Sequence, residues 1–290
     1  MPAPLRSALV TGASTGIGAA CAERLHAMGY LVFAGIRRPE DGERLRARTS
    51  DRVRWLRLDV TDGNQIEDAR RDVEESVGDR GLDALINNAG IAVGGPLEYL
   101  PPAELRRQLE VNVVGLHAVT QAMLPAIRRA RGRIVNIGSI SGRIASPFTG
   151  PYAASKHAVE ALTDALRLEL APEGIQVAVI EPGQVATPIW DKGLAEYAAS
   201  AGRYPPEGVA RYGRRLKVLE WILRSAPRRA SPPEAVTDAV VHAIESDRPR
   251  IRYVVGRDAR IRLWLSRLLP DRAMDGLYLS MIRRLERRVR

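Results

Sequence analysis

Seven short apolar runs recur along the chain, near Ala8 to Thr11, Leu31 to Gly35, Val53 to Leu58, Ala84 to Asn87, Arg133 to Ile137, Gln176 to Ile180 and Ile251 to Val255. Between them, apolar residues return every three or four positions. Continuous apolar strands separated by amphipathic helices predict a parallel sheet covered on both faces, an α/β fold of three layers, α/β/α, doubly wound within a single domain. No internal repeat is present. The helix from about Pro101 is predicted to turn Leu105, Leu109, Asn112, Val113, Leu116 and Val119 inward, and an amide placed there needs partners. Ser231-Pro232-Pro233-Glu234 reads as a capping box, with Ser231 as N-cap and Glu234 at the third position.

The rhythm breaks between Ile189 and Arg229, a segment holding Trp190, Tyr197, Tyr204, Tyr212, Leu216, Leu219, Trp221 and Ile222 in a chain only 5% aromatic. Two readings stay open. These side chains line a large apolar pocket or lid, or Leu216, Leu219, Ile222 and Leu223 form a stripe packed on the domain or on another subunit. With 290 residues at 45% hydrophobic, the chain can bury one sizeable core. The single cysteine, Cys21, sits among alanines as a packing residue and excludes an internal disulfide. No apolar stretch precedes the first strand and none approaches the ~20 residues that span a bilayer, so a cytoplasmic location is expected. The sequence divides into residues 1–257, including the covering segment 189–229, and a helical Arg-rich extension, 258–290.

Chemistry concentrates at the ends of the predicted strands. Thr11-Gly12-Ala13-Ser14-Thr15-Gly16-Ile17-Gly18 follows the first strand and opens a helix, a turn in which backbone N–H groups can meet pyrophosphate oxygens. Asn87-Asn88-Ala89-Gly90 ends the fourth strand and Ser139 the fifth, where ligands of open parallel sheets bind. Tyr152 and Lys156 stand four apart, on one face of a helix. Moving protons with a phenol near neutrality means lowering its pKa by ~3 units, or ~4 kcal/mol. A fixed neighbouring cation can supply that. No metal is called for.

These motifs, with Asp59, Asn112 in Val-Asn-Val-Val-Gly, and Pro182-Gly183 with Thr187, resemble those of the short-chain dehydrogenase/reductase family over roughly residues 5 to 190. The resemblance implies a Rossmann-type fold and an oxidoreductase acting on an alcohol and its carbonyl compound. By that likeness Tyr152 is the acid/base and Lys156 binds the nicotinamide ribose and depresses the Tyr152 pKa. Ser139 holds the substrate oxygen, and Asn112 holds a water in a relay to Lys156, with a hydrogen bond to backbone able to coexist. Gly12, Ser14, Thr15, Gly16, Ile17 and Gly18 would surround the pyrophosphate. Asp59 with Val60 would meet the adenine, and Asn88, Ala89 and Gly90 would flank the dinucleotide. Pro182, Gly183, Val185 and Thr187 would border the carboxamide. No family position needed for turnover is missing, which disfavours a non-catalytic cofactor sensor. The stretch around Tyr152 looks most like the retinol and hydroxysteroid dehydrogenase branch, and His157 is read as structural. Family members are usually dimers or tetramers, so a homodimer or homotetramer is expected.

In dinucleotide folds a carboxylate after the second strand bonds the ribose 2′-hydroxyl of NAD, whereas an arginine accepts the 2′-phosphate of NADP. Ile36 occupies the carboxylate's place, with Arg37 and Arg38 next. A guanidinium suits phosphate, so NADP is expected over NAD. The counterweight is composition, 41 Arg against 3 Lys.

From Arg248 to Arg290 lie 13 Arg and 4 acids, +9 of the formal +10. Such a patch could attract anionic lipid or an acidic carrier protein, and Ile261 to Leu269 mixes Arg with Leu and Trp as an interfacial helix would. An Arg-rich helix docking its apolar side on the fold is favoured over membrane attachment. Nucleic acid is disfavoured, because no recognition motif accompanies the charge. The expected substrate is a small lipophilic alcohol or ketone. A carrier-linked 3-oxoacyl thioester is the alternative, served by the basic tail.

Overall fold

The computed structural model describes residues 5–188, 193, 202, 204–225 and 230–288. Seven strands form one parallel sheet, β1 (Ser7–Thr11), β2 (Leu31–Ile36), β3 (Val53–Arg57), β4 (Ala84–Asn87), β5 (Arg133–Ile137), β6 (Gln176–Pro182) and β7 (Arg252–Val255), in the order β3-β2-β1-β4-β5-β6-β7. All seven apolar runs are strands. β1 and β2 are buried at every position, as a sheet covered on both faces requires.

Helices α1 (Gly16–Ala27), α2 (Pro39–Arg46), α3 (Gly63–Val77), α4 (Pro102–Leu109), α5 (Gly115–Ala130) and α6 (Gly150–Leu170) follow the first five strands. Then come α7 (Pro206–Ser225), α8 (Pro233–Glu245), α9 (Arg257–Leu268) and α10 (Asp271–Glu286). One core layer joins α1 and α8 to the sheet through Leu25, Val240 and Ile180. The other seats α3 and α5 through Val73, Met123 and Phe33. In α3 the Asp62 carboxylate accepts from the N–H groups of Asn64 and Gln65 at 3.0 and 3.2 Å, and Ile66, Ala69, Val73 and Val77 make the buried stripe. Because strand order reverses between β1 and β4, the loops after those strands part and leave a crevice at the carboxyl edge.

Two local expectations are corrected. The helix predicted from Pro101 is broken at Glu110–Val114 by a π-helical turn. The wide turn shifts the inward face, so Leu105 is 37% exposed while Gln108 is fully buried. Ser231 is not an N-cap: α8 begins at Pro233 without a side-chain cap, and Ser231 instead pairs with Val185 in a parallel bridge. Its N–H and C=O are taken by Gln184 and Ala186 at 2.9 Å each, which leaves no reason for it to start the helix.

Trp190 and Tyr197 lie outside the described residues. Cys21 is buried, and burial pushes its thiol up to about 12, as suits a packing residue. Among the described residues no helix is long and apolar enough to cross a membrane.

Candidate active site

The glycine turn is latched to the loop after β4. Thr11 Oγ1 accepts from the N–H groups of Asn88 and Ala89 at 2.9 and 3.0 Å. Asn88 Nδ2 donates in return to the carbonyls of Thr11 and Gly12 at 2.9 and 3.1 Å. Gly12 and Gly16 take φ of 66° and 60°, and a Cβ on Gly18 would lie 2.4 Å from both Asn88 Nδ2 and the Gly12 carbonyl. Glycine is demanded by the fit at all three positions. α1 then starts at Gly16, with no side-chain cap from Thr15 and no acid in its first turn, so its leading N–H groups are left for an anion. Ser14, Thr15 and Ile17 stand half-exposed around them. This cradle fits a dinucleotide pyrophosphate.

Arg37, Arg38, Asp59 and Val60 lie across the switch point, after β2 and β3. Arg38 is tied to buried Asp41 at 2.9 Å, which Arg44 also pairs. Arg37 is exposed and makes no side-chain bond to the described residues. The Asp59 carboxylate accepts from the Thr61 N–H and hydroxyl at 3.0 and 2.8 Å, and buried Val60 packs below Gly115.

A cavity of about 1020 Å³ opens on the other side, with a mainly apolar wall. Ser139, Tyr152 and Lys156 share it with Ile17, Asn88 and Gly90 and with Pro182, Gly183, Val185 and Thr187. Gly16 and Thr187 face each other closely: a Cβ on the glycine would come 3.1 Å from the threonine Cβ. Gln184 N donates to the Asp258 carboxylate at 2.9 Å, fixing the loop after β6 to the start of α9. Ser139 follows β5 by two residues, and its Oγ accepts from Ser141 N at 3.1 Å.

Lys156, 5% exposed, donates to the Ile137 carbonyl at 2.7 Å, and its nitrogen lies 5.8 Å from the centroid of the Tyr152 ring. Burial pulls its pKa down to about 8, with Glu160 one turn on pulling the other way. Burial also holds Tyr152 above the ordinary phenol value, against a hydrogen bond from Ser139 that lowers it. In the protein alone the phenol shifts upward, opposite to the depression by Lys156 that the resemblance implies, while Tyr152 stands half-buried on the cavity wall. Behind Lys156, Glu160 sits 3.1 Å from Arg252, which also reaches buried Glu181 at 3.4 Å. Burial, then Glu181, raises Glu160 well above the usual carboxylate range, with Arg252 opposing.

Asn112 is fixed by backbone: its Oδ1 accepts from Ile91 N at 2.9 Å, and its Nδ2 donates to Ile91 O and Ser155 Oγ at 3.0 Å each. Gln108, one turn earlier, accepts from Val93 N at 2.6 Å and donates to Ile91 O at 2.9 Å. The pair clamps residues 91–93 against the cavity. Gln108 escaped the sequence reading; the signal was two amides four apart on a helix face assigned to the core.

The far wall is built by segments the strand-helix rhythm does not explain. Tyr204, Leu219, Trp221 and Ile222 line the cavity while Leu216 is buried behind them, so pocket and packing stripe coexist on α7. Leu265, Met274, Leu277 and Met281 of α9 and α10 add to the cavity wall, and Ala259 and Leu263 dock in a small core with Ile140 and Ile144. Residues 258–288 thus join the main body and the cavity.

Residues 6–198 match the family model described as short chain dehydrogenase. The chain belongs to the short-chain dehydrogenase family. This dehydrogenase is 40% identical over 271 residues to human (Homo sapiens) 17-beta-hydroxysteroid dehydrogenase type 6, covering 92% of this chain and 85% of that protein. It is 36% identical over 286 residues to an NADPH-dependent 3-dehydrocapnine reductase of Ornithobacterium rhinotracheale, covering 97% and 99%. Among solved structures, a short chain dehydrogenase from Burkholderia cenocepacia J2315 in complex with NADP matches with a TM-score of 0.71 and 28% identity, over 96% of this chain and 99% of that one. As members of that family do, this dehydrogenase acts on CH–OH groups.

Proposed function

We propose that the chain is an NADP(H)-dependent oxidoreductase that interconverts a lipophilic secondary alcohol and its ketone. One observation carries the reading: Ser139, Tyr152 and Lys156 meet on the wall of a large apolar cavity that also touches Gly90, Gly183 and Thr187. A polar triad set in a mainly apolar wall orients one oxygen of a hydrophobic molecule. When bound, the nicotinamide supplies or accepts the hydride.

The residues do the rest. Ser139 donates to the substrate oxygen, and Tyr152 gives it a proton in reduction or takes one in oxidation. Lys156 spends one N–H on Ile137 and keeps two for a ribose hydroxyl and for the charge that develops on the phenolate. The raised pKa of Tyr152 in the protein alone favours the proton-donating form. Arg37 supports NADP over NAD, because it follows buried Ile36 where a carboxylate would stand and its guanidinium is uncommitted among the described residues. NADP also accompanies the Burkholderia structure, and NADPH the Ornithobacterium reductase.

The test is NADPH oxidation by the full chain across steroids, retinoids, acyl thioesters and long-chain ketones. Turnover is expected on lipophilic ketones and is expected to vanish in Tyr152→Phe. Equal rates in wild type and variant on every compound would sink the reading.

A further inference from the structure

Arg262 faces the cavity from α9. Its Nη2 donates to Ser146 Oγ and to the Tyr278 hydroxyl, each at 3.0 Å. Both partners are neutral. Nε and Nη1 have no partner among the described residues, and no carboxylate pairs with the side chain there. Arg252 and Arg143, also half-buried, are each matched by carboxylates.

The remaining charges on the wall sharpen the contrast. Arg107 pairs with Glu104 at 2.8 Å, so those two cancel. Lys156 bonds the Ile137 carbonyl at the Tyr152 end of the cavity, and Arg288, exposed beyond α10, is a further cation with no ion pair among the described residues. On this mainly apolar wall, a half-buried guanidinium whose partners among the described residues are neutral hydroxyls offers an incoming oxyanion its counter-charge. Nε and Nη1 each keep an N–H for an oxyanion oxygen, and the neutral clamp of Ser146 and Tyr278 on Nη2 aims the group without neutralising it.

We infer that Arg262 is a specificity-determining residue for an anionic amphiphile, one whose apolar chain fills the cavity and whose carboxylate or sulfonate head lies on this guanidinium. The inference rests on the lipophilic alcohol/ketone reading above and narrows its substrate class. It also gives the cavity a polarity, with an oxyanion contact on α9 and a carbonyl contact at Ser139 and Tyr152.

Binding to the full chain, followed by tryptophan fluorescence without turnover, tests it with hexadecanoate, hexadecanesulfonate and the neutral methyl hexadecanoate. Wild type is expected to bind at least one of the two anions about tenfold tighter than the ester. Arg262→Met should reduce that ratio to within about twofold, with ester affinity kept. Arg262→Lys should keep part of the preference. The double variant Ser146→Ala/Tyr278→Phe, which removes the clamp but not the charge, should still prefer the anion. Which anion binds tighter separates a carboxylate from a sulfonate source. Equal binding of anions and ester by wild type, an unchanged ratio in Arg262→Met, or full competition by inorganic sulfate at equal concentration would each overturn the assignment. If Arg262→Met does not fold, the wild-type ratio and the Arg262→Lys ratio decide. Turnover of a neutral long-chain ketone is scored apart: its absence counts against the dehydrogenase reading, whereas its presence without any anion preference removes only the role of Arg262.

Discussion

Lys156 donates to the main-chain oxygen of Ile137 across 2.7 Å, tying α6 to the last residue of β5. The bond fixes the ammonium beside the Tyr152 ring through contacts made within the chain itself. Most of the chemistry then follows from what burial does to these two side chains.

Replacing Tyr152 by Phe keeps the ring beside Lys156 and deletes only the proton. NADPH affinity, read by fluorescence titration, is expected to stay within about twofold, while kcat falls by about 10²–10⁴. A fall in affinity with unchanged kcat would show that the hydroxyl binds rather than transfers protons.

Lys156 titrates near 10.5 in an unfolded chain and at about 8 here. Between those values the unfolded chain holds more protons, so this residue makes stability rise with pH across that window. Urea denaturation in steps from pH 7.5 to 10.5 is expected to show the rise in wild type and to lack it in Lys156→Met. Parallel curves for the two proteins would mean that the ammonium is not desolvated.

At Gly18 a methyl group would sit 2.4 Å from Asn88 Nδ2 and from a backbone oxygen. Gly18→Ala should cost about 1–3 kcal/mol of stability by overpacking. It should also weaken dinucleotide binding, because Asn88 must move and release the turn. Calorimetric melting and cofactor titration read the two effects, and a variant as stable as wild type would show that the latch gives way freely.

Arg37→Ala is expected to reduce the preference for NADPH over NADH by about 10- to 100-fold, the worth of one or two charge-assisted hydrogen bonds. Arg38→Ala should change it less, since that side chain is held by Asp41. The ratio of kcat/KM for the two cofactors decides, and an equal effect of both substitutions would mean that the Asp41 pair opens on binding.

The strands and the glycine turn were legible in the sequence because they depend on local pattern. A fully buried strand must be apolar throughout, and a turn that admits no Cβ must be glycine. Ser139, Tyr152 and Lys156 were legible as a spacing, and their meeting in one cavity follows from the sheet order. What escaped depends on register or on distant partners. The π turn at Glu110–Val114 has no residue signature, yet it moves Gln108 inward and Leu105 outward. Ser231 looked like a cap until the strand-like course of Val185 claimed its backbone. Tyr152 was expected to be acidified by its neighbour, but spacing says nothing about lost water. The density of Arg beyond Gly256 likewise hid Leu265, Leu277 and Met281, which turn the last two helices into cavity wall.

Asp258 adds a constraint from far along the chain. Its carboxylate, which accepts from Gln184 N, lies in the chain beyond β7, the strand at the edge of the sheet. The loop after β6, which borders the cavity, is thus pinned by a carboxylate that follows every strand of the sheet along the chain.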